Sequence, residues 1–253
     1  MKLFIASRPS FGAQVLNFAL ILVLLALFFC GIFSTQLYHW EALTTYRVVF
    51  LRGWGTTFLI SLASLLLSLL IGLAASLLRR SKILVLRYFA QIYIELIRGT
   101  PLLVQLLFFF YVVASAIGIE NRYFVGVATL SLFSGAYIAE IFRSGIEGVR
   151  KTMLESATAI GLTKWQTYRY VIFPISTRQI LPPLAGQFAS IIKDSSLLSI
   201  LGISEFTYAA QQVSSASYST LECYFPLAIG YLILTFPISM VSKFLEKRSR
   251  HEA

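Results

Sequence analysis

Five charged side chains stand within or at the margins of otherwise apolar stretches: Glu95, Arg98, Glu140, Lys193 and Asp194. A charge at the centre of a bilayer costs about 2.5–3.5 kcal/mol on insertion scales, so each needs a partner, water or a polar solute. Together they suit the binding of a charged or zwitterionic solute in a low-dielectric setting. Glu95 and Arg98 lie one helical turn apart and are equally suited to pair with each other. Glu140 ends an apolar run and is placed to contact either a solute or the loop that follows. Lys193 and Asp194 are adjacent, so on a regular helix they point in different directions. The stretch KDSSLLS therefore reads as a candidate helix break in which Ser195 and Ser196 satisfy loosened backbone groups, an arrangement that builds sites near a bilayer midplane. Gln105, polar within an apolar run, completes the set of candidate path residues. Covalent chemistry is not indicated, because HExxH, G-x-S-x-G and the phosphate-binding G-x-x-x-x-G-K-[ST] are all missing from the sequence. The two cysteines, Cys30 and Cys223, and two histidines, His39 and His251, form no ligand cluster in sequence, so no catalytic residue, metal or cofactor is expected.

The elements that position these groups are set by solvation in lipid. Of 253 residues, 57% are hydrophobic and 13% charged, against about 25% charged in soluble domains. The stretches 11–37, 53–78, 99–119 and 223–242 hold no Lys, Arg, Asp or Glu, and each supplies the roughly 20 residues that a helical crossing needs. Residues 123–139 make a fifth span if Glu140 faces protein or water, and 179–202 a sixth, broken by Lys193 and Asp194. With both ends in the cytoplasm, the inner segments carry 17 Lys and Arg and the outer ones only Arg47, Arg52 and Arg122. That asymmetry fixes the orientation and accounts for the net charge of +10 without nucleic acid. The expected fold is an all-α integral membrane protein of six transmembrane helices. Residues 83–97 read as a helix ending at Gly99-Thr100-Pro101, a bend whose freed carbonyls need new donors.

The long inner loop, 143–178, contains ESATAIGLTKWQTYRYVIFP, from Glu155 to Pro174. Thr152 stands three residues before Glu155, and Thr163 three before Gln166, both capping-box patterns. They predict helices over 153–160 and 164–172, joined at Gly161 in the left-handed cap position and closed by Pro174. Ala157, Ala159 and Gly161 are small enough to admit another protein's surface. Leu154, Ile160, Leu162, Trp165 and Tyr168 supply the apolar and aromatic anchors that interface cores favour. Docking of a cytoplasmic partner explains that composition better than a solvated loop does.

The same stretch resembles the EAA signature of ABC importer permeases, with Glu155, Ala157, Gly161 and Pro174 on its fixed positions. Ser156, Val171 and Phe173 depart from it mildly. YIELIRGTPLLVQLLFFFY (93–111), LSLFSGAYIAEIFRSGI (130–146) and PPLAGQFASIIKDSSLLSILGISEF (182–206) are similar to the polar amino-acid branch of that family. The resemblance runs from about Trp54 to Glu246. It implies a five-helix permease core over 53–246, preceded by an N-terminal helix and outer loop over 1–52 and followed by a basic cytoplasmic tail, 247–253. It further implies a bacterial inner-membrane subunit that is not itself an enzyme. Its partners are two ATP-binding subunits, a second permease subunit (a copy or a paralogue) and an extracytoplasmic binding protein that delivers a polar amino acid. Glu155, Ser156, Ala157, Ala159, Gly161, Leu162 and Trp165 are the residues that would couple to the ATPase. An ion-coupled secondary transporter and a membrane anchor for a cytoplasmic complex stand as alternatives; both histidines lie outside the spans, which weakens the first.

Overall fold

A run of 24 residues without a charged side chain forms the first helix, α1 (Phe11–Ser34), about 36 Å long at helical rise. The computed structural model describes residues 11–34 and 40–250, so the last three residues of the 11–37 stretch lie outside them. The chain divides into two units, Met1–Trp40 and Glu41–Ala253. The second begins with a short helix, α2 (Glu41–Thr45), and a 33-residue helix, α3 (Arg47–Arg79). Next come α4 (Leu84–Gly99) and α5 (Leu102–Phe108), the latter running on as a π-helix over Phe109–Ala114. After α6 (Arg122–Glu147) and α7 (Lys151–Ala159), α8 (Lys164–Thr167) passes through a π-helical turn, Tyr168–Ile172, into α9 (Phe173–Asp194). A 3₁₀ segment, Ser195–Leu201, extends α9; α10 (Phe206–Ser217) and α11 (Thr220–Arg250) complete the chain. No strand occurs among the described residues.

The centre of the second unit is the pair α3 and α6. Along α3 the buried face reads Thr57, Ser61, Ser64, Ser68, Gly72 and Ser76, three or four residues apart. Small residues at helical spacing let backbones approach closely where lipid supplies no hydrophobic drive. Gly72 shows how closely: a Cβ there would stand 2.6 Å from Ile138 Cγ2, and one on Gly135 would stand 2.7 Å from Ile71 Cγ2. Around this pair Ile60, Leu102, Leu106, Leu130, Ile191 and Leu198 form the main apolar cluster, joining α3, α5, α6 and α9. Phe50, Phe206, Val213 and Cys223 form a second, between α3, α10 and α11.

Among the described residues, α3, α6 and α11 are long and apolar enough to cross a membrane, and α4 with α5 makes a bent fourth candidate. The bend expected at Gly99-Thr100-Pro101 is present and opens the stretch 99–119. Its helix starts only at Leu102, and α5 is turned 109° from α4. Pro101 offers no backbone donor, and Thr100 before it is extended (φ −121°, ψ 145°), as a residue preceding proline prefers. The donors that the bend requires come from one side chain. Gln105 Nε2 donates to Ile97 O at 2.7 Å, to Thr100 O at 3.1 Å and to Thr100 Oγ1 at 2.7 Å. Gln105, singled out in the sequence as a path candidate, is buried at this bend and bonded to its carbonyls.

Candidate functional site

The inner loop folds as a hairpin. α7 is capped at Ile160, and Gly161 takes the left-handed conformation (φ +79°) that glycine adopts without strain. Leu162 N–H donates to Ala157 O and Gly161 N–H to Thr158 O, both at 3.0 Å, the two bonds of a Schellman cap. Two residues on, Thr163 caps the next helix. Gln166 N–H donates to Thr163 Oγ1 at 3.3 Å, and Thr163 N–H to Gln166 Oε1 at 2.8 Å, so this capping box is complete. The one expected at Thr152 and Glu155 is not formed. α7 begins two residues earlier than that pattern requires, with Arg150 at the N-cap, and Glu155 instead faces Lys151 at 3.7 Å. The second loop helix also differs from expectation, because it does not stop before Pro174. Proline sits in the first turn of α9, where a missing N–H is tolerated, and the π turn carries the helix across. The loop expected over 143–178 is accordingly mostly helix, its ends belonging to α6 and to the α8–α9 rod.

Most of the proposed coupling residues lie open on this hairpin. Glu155, Ser156, Ala159, Gly161 and Trp165 are exposed, Trp165 to 70% and its neighbour Ile160 to 75%. Leu162 is half-buried. Ala157 is the exception: it is 4% exposed, on the covered face of α7 that turns towards the π turn. A cleft of about 410 Å³ separates α7 from the π turn, lined by Met153, Ala157, Leu162, Tyr170, Val171 and Ile175.

On the membrane side of the hairpin, Glu140 gathers three arginines from three helices. Arg79 donates to its Oε2 at 3.0 Å, Arg98 lies 3.9 Å from the same oxygen, and Arg143 binds Oε1 while also reaching Glu147. Its partners lie on α3, α4 and its own helix. Glu95 and Arg98 do not pair. Glu95 is exposed and accepts from Gln91 Nε2 at 2.9 Å, while the Arg98 guanidinium covers the Tyr137 ring at 5.3 Å. Arg98, Tyr137, Glu140, Ser144, Gln187 and Ser190 line a cavity of about 450 Å³ between α4, α6 and α9. It offers a cationic edge, a phenol, a carboxamide and two hydroxyls, donors and acceptors suited to a small zwitterion. Gln187, Ser190 and Tyr137 were not singled out from sequence; only their turn-by-turn spacing along α6 and α9 points to one lining.

Further along α9 the helix tightens where the sequence placed a break. Ser195 Oγ donates to Ile192 O at 2.8 Å and Ser196 Oγ to Lys193 O at 2.6 Å as the α-helix becomes 3₁₀. Lys193 is exposed, Asp194 half-buried and Ser195 fully buried, so the three face different surroundings. A further carboxylate escaped sequence reasoning. Glu205, fully buried at the N-cap of α10, accepts from Tyr208 N–H at 2.7 Å, Thr207 N–H at 2.9 Å, Tyr231 Oη at 2.9 Å and Thr57 Oγ1 at 3.3 Å. Its only sequence signal is an isolated acid after Gly202.

Residues 68–251 match the family model of the binding-protein-dependent transport system inner membrane component. The chain belongs to this family. Among its relatives, the glutamine transport system permease protein GlnP of Escherichia coli (strain K12) is 34% identical over 215 residues, 84% of this chain and 98% of GlnP. The probable amino-acid ABC transporter permease protein YckA of Bacillus subtilis (strain 168) is 38% identical over 221 residues, 87% of this chain and 95% of YckA. Among solved structures, a crystal structure of an amino acid ABC transporter with histidines superposes with a TM-score of 0.78 at 33% identity, covering 84% of this chain and all of that one. The MetNI methionine transporter in an inward-facing conformation shares the fold, with a TM-score of 0.66 at 15% identity over 80% of this chain and 97% of that one. As a binding-protein-dependent permease the chain is a membrane-embedded transport component and not an enzyme; ATP hydrolysis falls to separate subunits. An ion-coupled carrier is not the better description of a member of this family.

Proposed function

We propose that this permease carries a polar amino acid across a bacterial cytoplasmic membrane, with six transmembrane helices and both ends inside. In this reading residues 1–52 add a helix and outer loop to the permease core, 53–246, and 247–253 form a basic inner tail. The exposed hairpin docks on the ATP-binding subunits through Glu155, Ser156, Ala159, Gly161 and Trp165, with Ala157 and Leu162 supporting it from beneath. A second permease subunit completes the path, and an extracytoplasmic binding protein delivers the cargo. The amino-acid systems named for its relatives support the cargo class.

The observation that carries the mechanism is the continuity of α8, the π turn and α9. One helical rod of roughly 45 Å runs from the capped end of the hairpin to Asp194. Its middle supplies Gln187 and Ser190 to the cavity. ATP-driven closure of the docked subunits then displaces the cavity wall directly, by rigid-body rocking of the kind that produces alternating access. Arg98 and Gln187 receive the cargo's carboxylate and polar groups at the inner end, and Lys193 and Asp194 present their charges further out on the same rod. The test is uptake of labelled amino acids into vesicles containing the permease, its ATPase and its binding protein. ATP-dependent uptake that falls in Gln187→Ala and Lys193→Ala variants of normal assembly supports the assignment. Uptake independent of ATP removes it.

A further inference from the structure

α4 packs against α3 and α6 and is separated from α5 by a sharp bend. It begins at Leu84, five residues after Arg79, and ends with Arg98 in its last turn. Arg79 and Arg98 nevertheless reach the same oxygen of Glu140. Between these ends the 16-residue helix, about 24 Å long, packs across α3 and α6: Ile94 lies against Ala75 and Ala139, and Tyr93 Oη donates to Leu132 O at 2.6 Å. After the 109° turn, α5 is the arm that enters the apolar core.

The face that α4 turns away from the bundle is apolar. Leu84, Val85, Tyr88, Phe89, Ile92 and Leu96 recur at helical spacing and are 53–74% exposed, while Ala90 and Ile94 on the opposite side are buried. Arg80 and Lys82 precede this stripe in the turn before α4, and Arg87 projects from the helix's first turns on the Ala90 side, all exposed. None of the three has a carboxylate within ion-pair distance among the described residues. The nearest acid on the helix, Glu95, stands two turns from Arg87 and accepts from Gln91. An apolar stripe with a cluster of basic side chains at one end is what an amphipathic helix presents to the headgroup–acyl boundary of an anionic leaflet.

We propose that α4 is an interfacial helix whose stripe lies in the inner leaflet and whose Arg80, Lys82 and Arg87 hold the phosphate of an anionic phospholipid. The assignment rests on the orientation given above only for naming the leaflet; lipid binding itself does not depend on transport. Such a lipid fixes the outer side of α4 while Arg98 on the inner side meets the cavity, so the leaflet becomes part of the support of the cavity wall.

The experiment uses the assembled transporter in vesicles, with Cys30 and Cys223 replaced by Ser and a bimane fluorophore on Tyr88→Cys. Brominated phosphatidylglycerol and brominated phosphatidylcholine are compared as quenchers. With each cation near an anionic surface worth roughly fivefold, phosphatidylglycerol is expected to quench at an at least tenfold lower mole fraction. The preference should collapse to near unity in the Arg80→Gln, Lys82→Gln, Arg87→Gln triple variant, with quenching by phosphatidylcholine retained. Equal quenching by the two lipids in the unsubstituted cluster overturns the proposal, and this arm decides even if the triple variant fails to assemble. Absence of quenching by either lipid also overturns it, because the stripe is then covered by protein, such as a second permease subunit. Neither result bears on whether the cargo is an amino acid, which uptake alone decides.

Discussion

Arg79 and Arg98, nineteen positions apart in sequence and on different helices, converge on one oxygen of Glu140, at 3.0 and 3.9 Å. Arg143 occupies the other oxygen. One carboxylate therefore joins the C-terminal ends of α3 and α4 to α6. It does so while partly open to water, which limits what each pair contributes.

Removing that carboxylate should loosen this junction without unfolding the bundle. Glu140→Gln leaves Arg79 and Arg98 without a compensating charge and Arg143 with Glu147 alone. The expected loss is about 1–2 kcal/mol, well below that of a fully buried pair because the site is part-exposed. Thermal denaturation of the detergent-solubilised transporter checks this, and an unchanged midpoint would show that the three arginines do not depend on Glu140.

Gly161 sets the angle of the hairpin. A β-branched residue at φ +79° is strained by about 1–2 kcal/mol, enough to displace the cap bonds from Leu162 and Gly161. Gly161→Val should lower ATP-dependent uptake by on the order of tenfold at normal membrane abundance, a misplacement effect. Gly161→Asn, which tolerates this conformation, should keep most of the activity. Equal uptake by both variants and the unsubstituted protein would remove the elbow from the coupling route.

Gln105→Leu tests the bonds at the α4–α5 bend. The substitution keeps the volume but withdraws the donor from Ile97 O, Thr100 O and Thr100 Oγ1. Stranding buried acceptors costs about 1–3 kcal/mol, so the melting point should fall while the helix content by circular dichroism holds. Hydrogen exchange focused on residues 97–105 should rise more than elsewhere.

Glu205 should matter for assembly. Glu205→Ala removes the acceptor of two backbone N–H groups and of the Thr57 and Tyr231 hydroxyls, Tyr231 keeping Thr207 Oγ1, for a loss on the order of 3 kcal/mol. Tyr231→Phe removes a single donor and should cost about 1 kcal/mol. A double-mutant cycle between the two positions, read by thermal unfolding, should show coupling; additive effects would mean that Tyr231 does not act on the carboxylate.

The parts of this architecture that are written locally were legible in the chain. Charge-free runs marked α3, α6 and α11, Gly161 marked the elbow, and Thr163 with Gln166 marked the start of α8. Pro101 marked the bend, although its 109° angle came from packing. Local signals failed where two competed. The Thr152–Glu155 pattern lost to a helix already under way at Lys151, and Pro174 proved a first-turn residue of α9 and not a stop. Long-range partnerships left no trace in sequence: Glu205 meets Thr57 across 148 positions, and Glu140 meets Arg79 across 61. The burial of Ala157 is of the same kind, since a small residue reads alike whether it welcomes a partner or fills its own fold.

The unbroken passage from α8 into α9 also fixes a phase. Each residue of an α-helix advances the side chain by about 100°, so one residue added to or removed from Tyr168–Ile172 would swing Trp165 round by that angle relative to Gln187. Grip and cavity are therefore geared through a fixed number of teeth, and this stretch should tolerate altered side chains far more readily than altered length.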